Sequence, residues 1–188
     1  MSKLHCKKTK RDPQKAGISS KKLLRHSVLL LLFVALLPQA IMAQTPRTSE
    51  RLTLTSLNQF LAALPVNHSE TLRVKSLLKD LQPSVYLRAG VTNNYGDEPV
   101  CLFTDVSSIN LIQVVDEQHR NTVELITINI NESIDLNGNI NMSLFSVFPN
   151  LKYIYIISSV DTTPRKITNM FSQVNSQFKV FYNILKAS

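Results

Sequence analysis

The chain has 188 residues, with no tryptophan, four glycines, two cysteines and four histidines. Each scarcity excludes a class of chemistry. Beyond position 43 only Cys101 remains, so no internal disulfide framework is available there. The glycines in the same stretch are Gly90, Gly96 and Gly138, none paired at the spacing of a phosphate-cradling loop. No Gly-x-Ser-x-Gly elbow occurs. The remaining histidines, His68 and His119, belong to no His-Glu-x-x-His or paired Cys/His pattern, so neither a metal site nor a cofactor is expected.

Positive charge is plentiful but confined. The formal net charge is +8, and residues 1–27 carry all of it: nine Lys and Arg face Asp12 alone. The rest of the chain balances twelve basic against twelve acidic residues. Nucleic-acid binding needs a localised basic surface, and the balanced portion has no compositional support for one.

Directly after the basic stretch, Val28 to Leu37 form ten apolar residues without a charge. Pro38-Gln39 breaks the run and Ala40-Ile41-Met42-Ala43 follows. A positive n-region (1–27), an apolar core (28–37) and a small residue before the cut describe a secretory signal over 1–43. Cleavage between Ala43 and Gln44 leaves 44–188 as a single mature domain. The destination is then the periplasm, cell envelope or exterior, with membrane contact only through the N-terminal segment. The alternative is an uncleaved anchor over 27–43, which at 17 residues is at the short limit for a span and holds Pro38 and Gln39.

The mature portion reads as α+β. Leu52, Leu54, Leu57, Phe60, Leu61 and Leu64 recur at helical spacings until Pro65. A second helix is expected from Ser69 as N-cap, with Glu70 in its first turn and Pro83 beyond its end. Strands follow: Val85–Leu87 and Val100–Phe103 flank a polar loop, Asn93–Pro99, and Ile109–Val115 with Val123–Ile130 suggests a hairpin around Asp116–Asn121. Three β-rich runs then begin at Val123, Leu151 and Phe178, spaced 28 and 27 residues apart. Met142–Phe148 reads as a short helical turn between the first two. Thr163-Pro164 opens a helix between the last two, Thr as N-cap and Pro at the first helical position. The expectation is an N-terminal helical pair followed by a mixed sheet ending in a β-α-β-α-β segment with right-handed crossovers.

The segment Leu144-Phe145-Ser146-Val147-Phe148-Pro149-Asn150-Leu151-Lys152-Tyr153-Ile154-Tyr155-Ile156 resembles one turn of a leucine-rich repeat. Residues 123–184 are also similar to small exported proteins of Bacteroidetes, in which a Phe-Pro-Asn-Leu-Lys-Tyr-Ile-like strand precedes a helix and a closing Val-Phe-Tyr-like strand. The Ala43-Gln44 junction fits signal peptides of that group. The resemblance implies export and supplies no catalytic residues.

Few residues invite chemistry. Cys101 lies in an apolar run and His119 in a charged turn; a thiol–imidazole pair is conceivable, but a buried Cys and a solvated His is the simpler account. Asp135, Asn137 and Asn139 match the first ligand positions of a calcium loop, yet Ile140 stands where Gly is needed and Ser146 where a bidentate Glu is needed. Tyr153 and Tyr155 share one strand face, with Ile154 and Ile156 on the other. They form either an aromatic binding strip or part of the core. The functional expectation is a non-catalytic binding or interaction module recognising a protein or an envelope ligand. A small exported hydrolase with unidentified catalytic residues, or a membrane-anchored form of the module, is the alternative.

Overall fold

The computed structural model describes residues 52–174 and 176–185. The signal segment and the Ala43–Gln44 junction lie outside the described residues. Among those described, no helix is long and apolar enough to cross a membrane.

The fold is α+β, built on a seven-stranded mixed sheet. A two-residue strand β1 (Thr55–Ser56) leads into helix α1 (Leu57–Ala63), and helix α2 (Ser69–Lys79) follows. Strands β2 (Ser84–Arg88) and β3 (Val91–Tyr95) form a hairpin. Then come β4 (Cys101–Asp105), a 3-10 helix (Ile109–Val114), α3 (Glu117–Arg120) and β5 (Leu125–Ile130). A second 3-10 helix (Ser133–Asn137), β6 (Ile140–Asn141) and a third 3-10 helix (Met142–Val147) precede β7 (Tyr153–Ser158). Helix α4 (Pro164–Asn169), β8 (Phe171–Ser172) and β9 (Lys179–Ile184) complete the chain.

Across the sheet the order is β1-β9-β7-β5-β4-β2-β3, and every pair except β2–β3 is parallel. From β2 to β9 each parallel strand is laid beside its predecessor in chain order. The backbone therefore winds as one coil, and paired positions Cys101, Leu125, Tyr153 and Lys179 advance by 24, 28 and 26 residues. β1 then pairs with β9, so the start of the domain is stitched to its last strand.

The register explains the core. Val85, Leu102, Ile126, Ile154 and Val180 form one ladder across the sheet, and all are buried. Beneath them pack the connecting elements through Ile109, Ile112, Leu136, Met142, Phe145, Phe148, Ile167 and Met170. The connections also touch one another: β6 and β8 make a small parallel pair of their own. The opposite face carries a second, smaller core, in which Val74 and Leu77 of α2 cover Cys101, Leu125 and Tyr153, with Phe181 beside them. A parallel sheet buried on both faces accounts for the near-continuous apolar reading of Leu125–Ile130.

Several expectations are corrected. Ile109–Val115 is not a strand and forms no hairpin with Val123–Ile130. It turns as a 3-10 helix, because Ile109, Ile112 and Val115 are buried at three-residue spacing while Leu111 and Val114 face solvent. The polar loop expected over Asn93–Pro99 begins instead as a strand, β3, reached through a two-residue turn at Ala89-Gly90 whose φ angles are both positive. The first helix starts at Leu57, not near Leu52, with Ser56 as its N-cap in a capping box with Gln59. For the second helix the cap is His68, whose Nδ1 accepts the Glu70 N–H; Ser69 is already helical. The helix opened by Thr163 ends at Asn169, and Thr163 Oγ1 accepts the Lys166 N–H. The third β-rich run pairs one residue off the expected spacing, since Tyr153 faces Lys179.

Candidate ligand-binding face

The helical pair covers only part of its sheet face. Rows across this face are set by register: Ser84, Cys101, Leu125, Tyr153 and Lys179 near the strand starts, then Tyr86, Phe103, Thr127, Tyr155 and Phe181. Asp105, Asn129, Ile157 and Asn183 form the row at the strand ends. The first row is closed by α2. In the second, Phe60 of α1 stacks on Phe181 with centroids 4.3 Å apart and planes 9° apart, which closes the β9 side. The row at the strand ends is only partly buried.

On the β2–β4 side an aromatic ridge stands clear of the helices. Tyr86 and Phe103, paired across β2 and β4, stack at 4.8 Å with planes 14° apart. Tyr95 of β3 meets Tyr86 edge-on at 5.3 Å and 82°. Tyr86 is 44% exposed and Tyr95 62%, a large exposure for adjacent aromatic rings. The ridge separates two depressions. A polar one of about 530 Å³ has Arg88, Asn93, Asp105, Asn129 and Asn131 on its walls. A more apolar one of about 340 Å³ lies toward the end of α2, walled by Leu77, Leu81 and Cys101.

Asp105 is the charged centre of the polar side. Ser107 Oγ and the Ser108 N–H both donate to its Oδ1, at 2.6 and 2.8 Å, while Oδ2 faces the exposed Arg88 at 3.7 Å. Burial pushes the carboxyl up, but the hydrogen bonds from Ser107 and Ser108, aided by Arg88, hold it below the usual carboxylate range. One oxygen is thus anchored by the protein, and the other meets only a long, solvated ion pair. Asn129 donates its amide to the Thr104 carbonyl at 3.2 Å, which orients its side chain at the same wall.

Tyr153 and Tyr155 do lie on one face. Tyr153 is 2% exposed beneath α2, and its hydroxyl donates to Glu70 Oε1 at 3.1 Å. Lys179 Nζ donates to the same oxygen at 2.5 Å. Burial and then the adjacent Glu70 raise the Tyr153 pKa, whereas Lys179 and Tyr153 lower that of Glu70. Tyr155 is half-buried against Phe181, with centroids 5.2 Å apart. The two tyrosines join the helical pair to the sheet, and the exposed aromatic surface lies three and four strands away, at Tyr86 of β2 and Tyr95 of β3.

A second cluster fixes α2 to the sheet. Glu124 takes Arg73 on Oε1 through Nη2 (2.6 Å) and Nε (3.1 Å), and Lys152 on Oε2 (2.9 Å). Burial opposes its ionisation, yet these two cations outweigh it and lower its pKa. Cys101 is buried, its thiol 3.8 Å from the Leu77 carbonyl, and burial pushes it up to about 11. His119 Nδ1 lies 3.8 Å from Oδ2 of Asp116, the residue that caps its short helix. Asp135 Oδ2 accepts the N–H groups of Asn131 and Glu132, so in the segment that only partly matches a calcium loop this carboxylate caps the backbone. Among the described residues, no group of three or more His, Cys, Asp or Glu is placed to hold a metal ion.

No protein-family model, curated protein or solved structure matches the chain.

Proposed function

We propose that the chain is an exported, non-catalytic binding module whose ligand lies across the aromatic ridge. The observation that carries this reading is the pair of neighbouring tyrosines, Tyr86 and Tyr95, left uncovered beside an anchored carboxylate on a sheet face that α1 and α2 cover only in part. Export is supported by the basic and apolar segments of residues 1–37.

Ridge chemistry favours an envelope glycan. Sugar rings offer flat C–H faces to aromatic side chains and hydroxyl groups to carboxylates and amides. Asp105, Asn93, Asn129 and Asn131 supply those polar partners on one side of the ridge. Isothermal titration of the protein with envelope oligosaccharides tests the reading. Tyr86→Ala and Asp105→Ala each weaken binding by roughly tenfold or more, the scale of one lost charge-assisted hydrogen bond or ring contact. Absence of glycan binding, or variants that bind as well as the parent, overturns it. Export is tested separately: the product recovered outside the cytoplasm lacks residues 1–43, and an intact N-terminus contradicts cleavage.

A further inference from the structure

We propose that the free edge of β3 pairs with the same edge of a second copy of this chain, joining two sheets across a two-fold axis. Among the described residues β3 ends the sheet, with β2 on one side and no strand on the other. Exposed edges are ordinarily blunted by charge, proline, a bulge or brevity. At the opposite edge the sheet ends on β1, which has only two residues. β3 has five, Val91-Thr92-Asn93-Asn94-Tyr95, with no charge and no proline, paired to β2 without a bulge.

Hairpin geometry decides which groups are free. Arg88 and Val91 flank the two-residue turn, and such a closing pair exchanges both backbone hydrogen bonds. By alternation, Val91, Asn93 and Tyr95 direct their backbone groups to β2, while Thr92 and Asn94 direct theirs outward. An antiparallel copy centred on Asn93 sets Thr92 opposite the second copy's Asn94, and Asn94 opposite its Thr92. Every outward N–H and C=O of the strand is then used.

The side chains agree with that register. Val91 and Tyr95, 60% and 62% exposed, fall opposite one another twice, a β-branched residue against an aromatic ring. Charges agree as well. The turn end of the hairpin carries the exposed Arg88, and the other end runs into exposed Asp97 and Glu98. Two-fold pairing brings the basic end of each copy toward the acidic end of the other. The contact is isologous and closes after two copies, so it gives a dimer and not a fibre. It also sets the two aromatic ridges on adjoining faces of one continuous sheet.

Full-length protein in a Cys6→Ser background tests this by sedimentation and by cross-linking. The parent sediments at twice the chain mass, and Asn94→Pro, which removes an outward N–H, sediments as a monomer with unchanged circular dichroism. Asn93→Cys forms an intermolecular disulfide under mild oxidation, because facing residues at a non-hydrogen-bonded position have Cα atoms about 4.5 Å apart. Asn94→Cys, offset from its own copy, does not. A monomeric parent overturns the proposal. So does equal cross-linking at both positions, which also keeps the test decisive if Asn94→Pro fails to fold.

Discussion

At the scale of single residues, the chemistry of this domain is mostly spent on holding itself together. Cys101 illustrates the point. With its thiol pushed up to about 11 by burial, it is protonated at neutral pH and shielded by α2. Peptide-resolved alkylation finds Cys101 unmodified by iodoacetamide in the native protein and modified after denaturation; rapid native labelling contradicts this placement. Glu124 gives a pH dependence with a definite sign. Its folded pKa is below the ordinary value of 4.5, so its stabilising contribution is complete above that value and is lost as pH falls through the lower, folded one. Acid titration of the parent therefore shows a loss of stability below about pH 4.5 that Glu124→Gln reduces. A loss of the same size in Glu124→Gln contradicts the role assigned to the Arg73 and Lys152 clamp.

The same scale shows why sequence alone misplaced the exposed aromatic surface. Tyr153 and Tyr155 advertise themselves by alternating with Ile154 and Ile156, and their shared face is legible from strand period alone. What covers that face is not legible, because Val74, Leu77 and Phe60 reach it from elements far earlier in the chain. Tyr95 was hidden differently: read as loop, it had no face to share with Tyr86. The available signal was the β-prone Val91-Thr92 and Tyr95 after Ala89-Gly90, a turn pair weaker than Asn-Gly.

At the scale of elements, the β2–β3 turn carries a strain that can be relieved. Ala89 holds φ +50°, a conformation that costs an L-residue with a Cβ about 1–2 kcal/mol. Ala89→Gly accepts it freely but loses more backbone entropy on folding, so a net gain of about 0.5–1 kcal/mol is expected in urea unfolding. Gly90→Ala has the opposite sign, since φ is +78° and the new Cβ comes 3.3 Å from Leu111 Cδ1. Destabilisation by Ala89→Gly contradicts the turn geometry. The 3-10 helix at Ile109–Val114 makes a parallel test. Ile112→Ala empties a fully buried site and costs about 2–5 kcal/mol, whereas Leu111→Ala, at 43% exposure, costs far less. A strand over the same residues would place Leu111 and Ile112 on opposite faces too. Burial of Ile109, Ile112 and Val115 together is what distinguishes the three-residue period, and no apolar count over Ile109–Val115 reveals it.

At the scale of the whole molecule, one coil of parallel strands is laid down from β2 to β9 and strapped on one face by the chain that precedes it. The helical pair, the strand-to-helix alternation and the Thr163-Pro164 helix start were all legible locally, because period and caps are local properties. Strand order was not, since it depends on which connection lengths return each strand beside the last. That order leaves the aromatic ridge on β2, β3 and β4 uncovered, while on β9 Phe60 stacks over Phe181. The proposed ligand surface is this uncovered part, the aromatic ridge with the wall of Asp105 and Asn129.

The most direct measurement is a backbone amide NMR titration of the protein with an envelope oligosaccharide. Saturable shifts are expected at Tyr86, Arg88, Asn93, Tyr95, Asp105 and Asn129, with the residues under α2 around Leu125 and Tyr153 unmoved. Saturable shifts centred on the helices or on the 3-10 connections, with the ridge silent, would contradict this placement of the ligand.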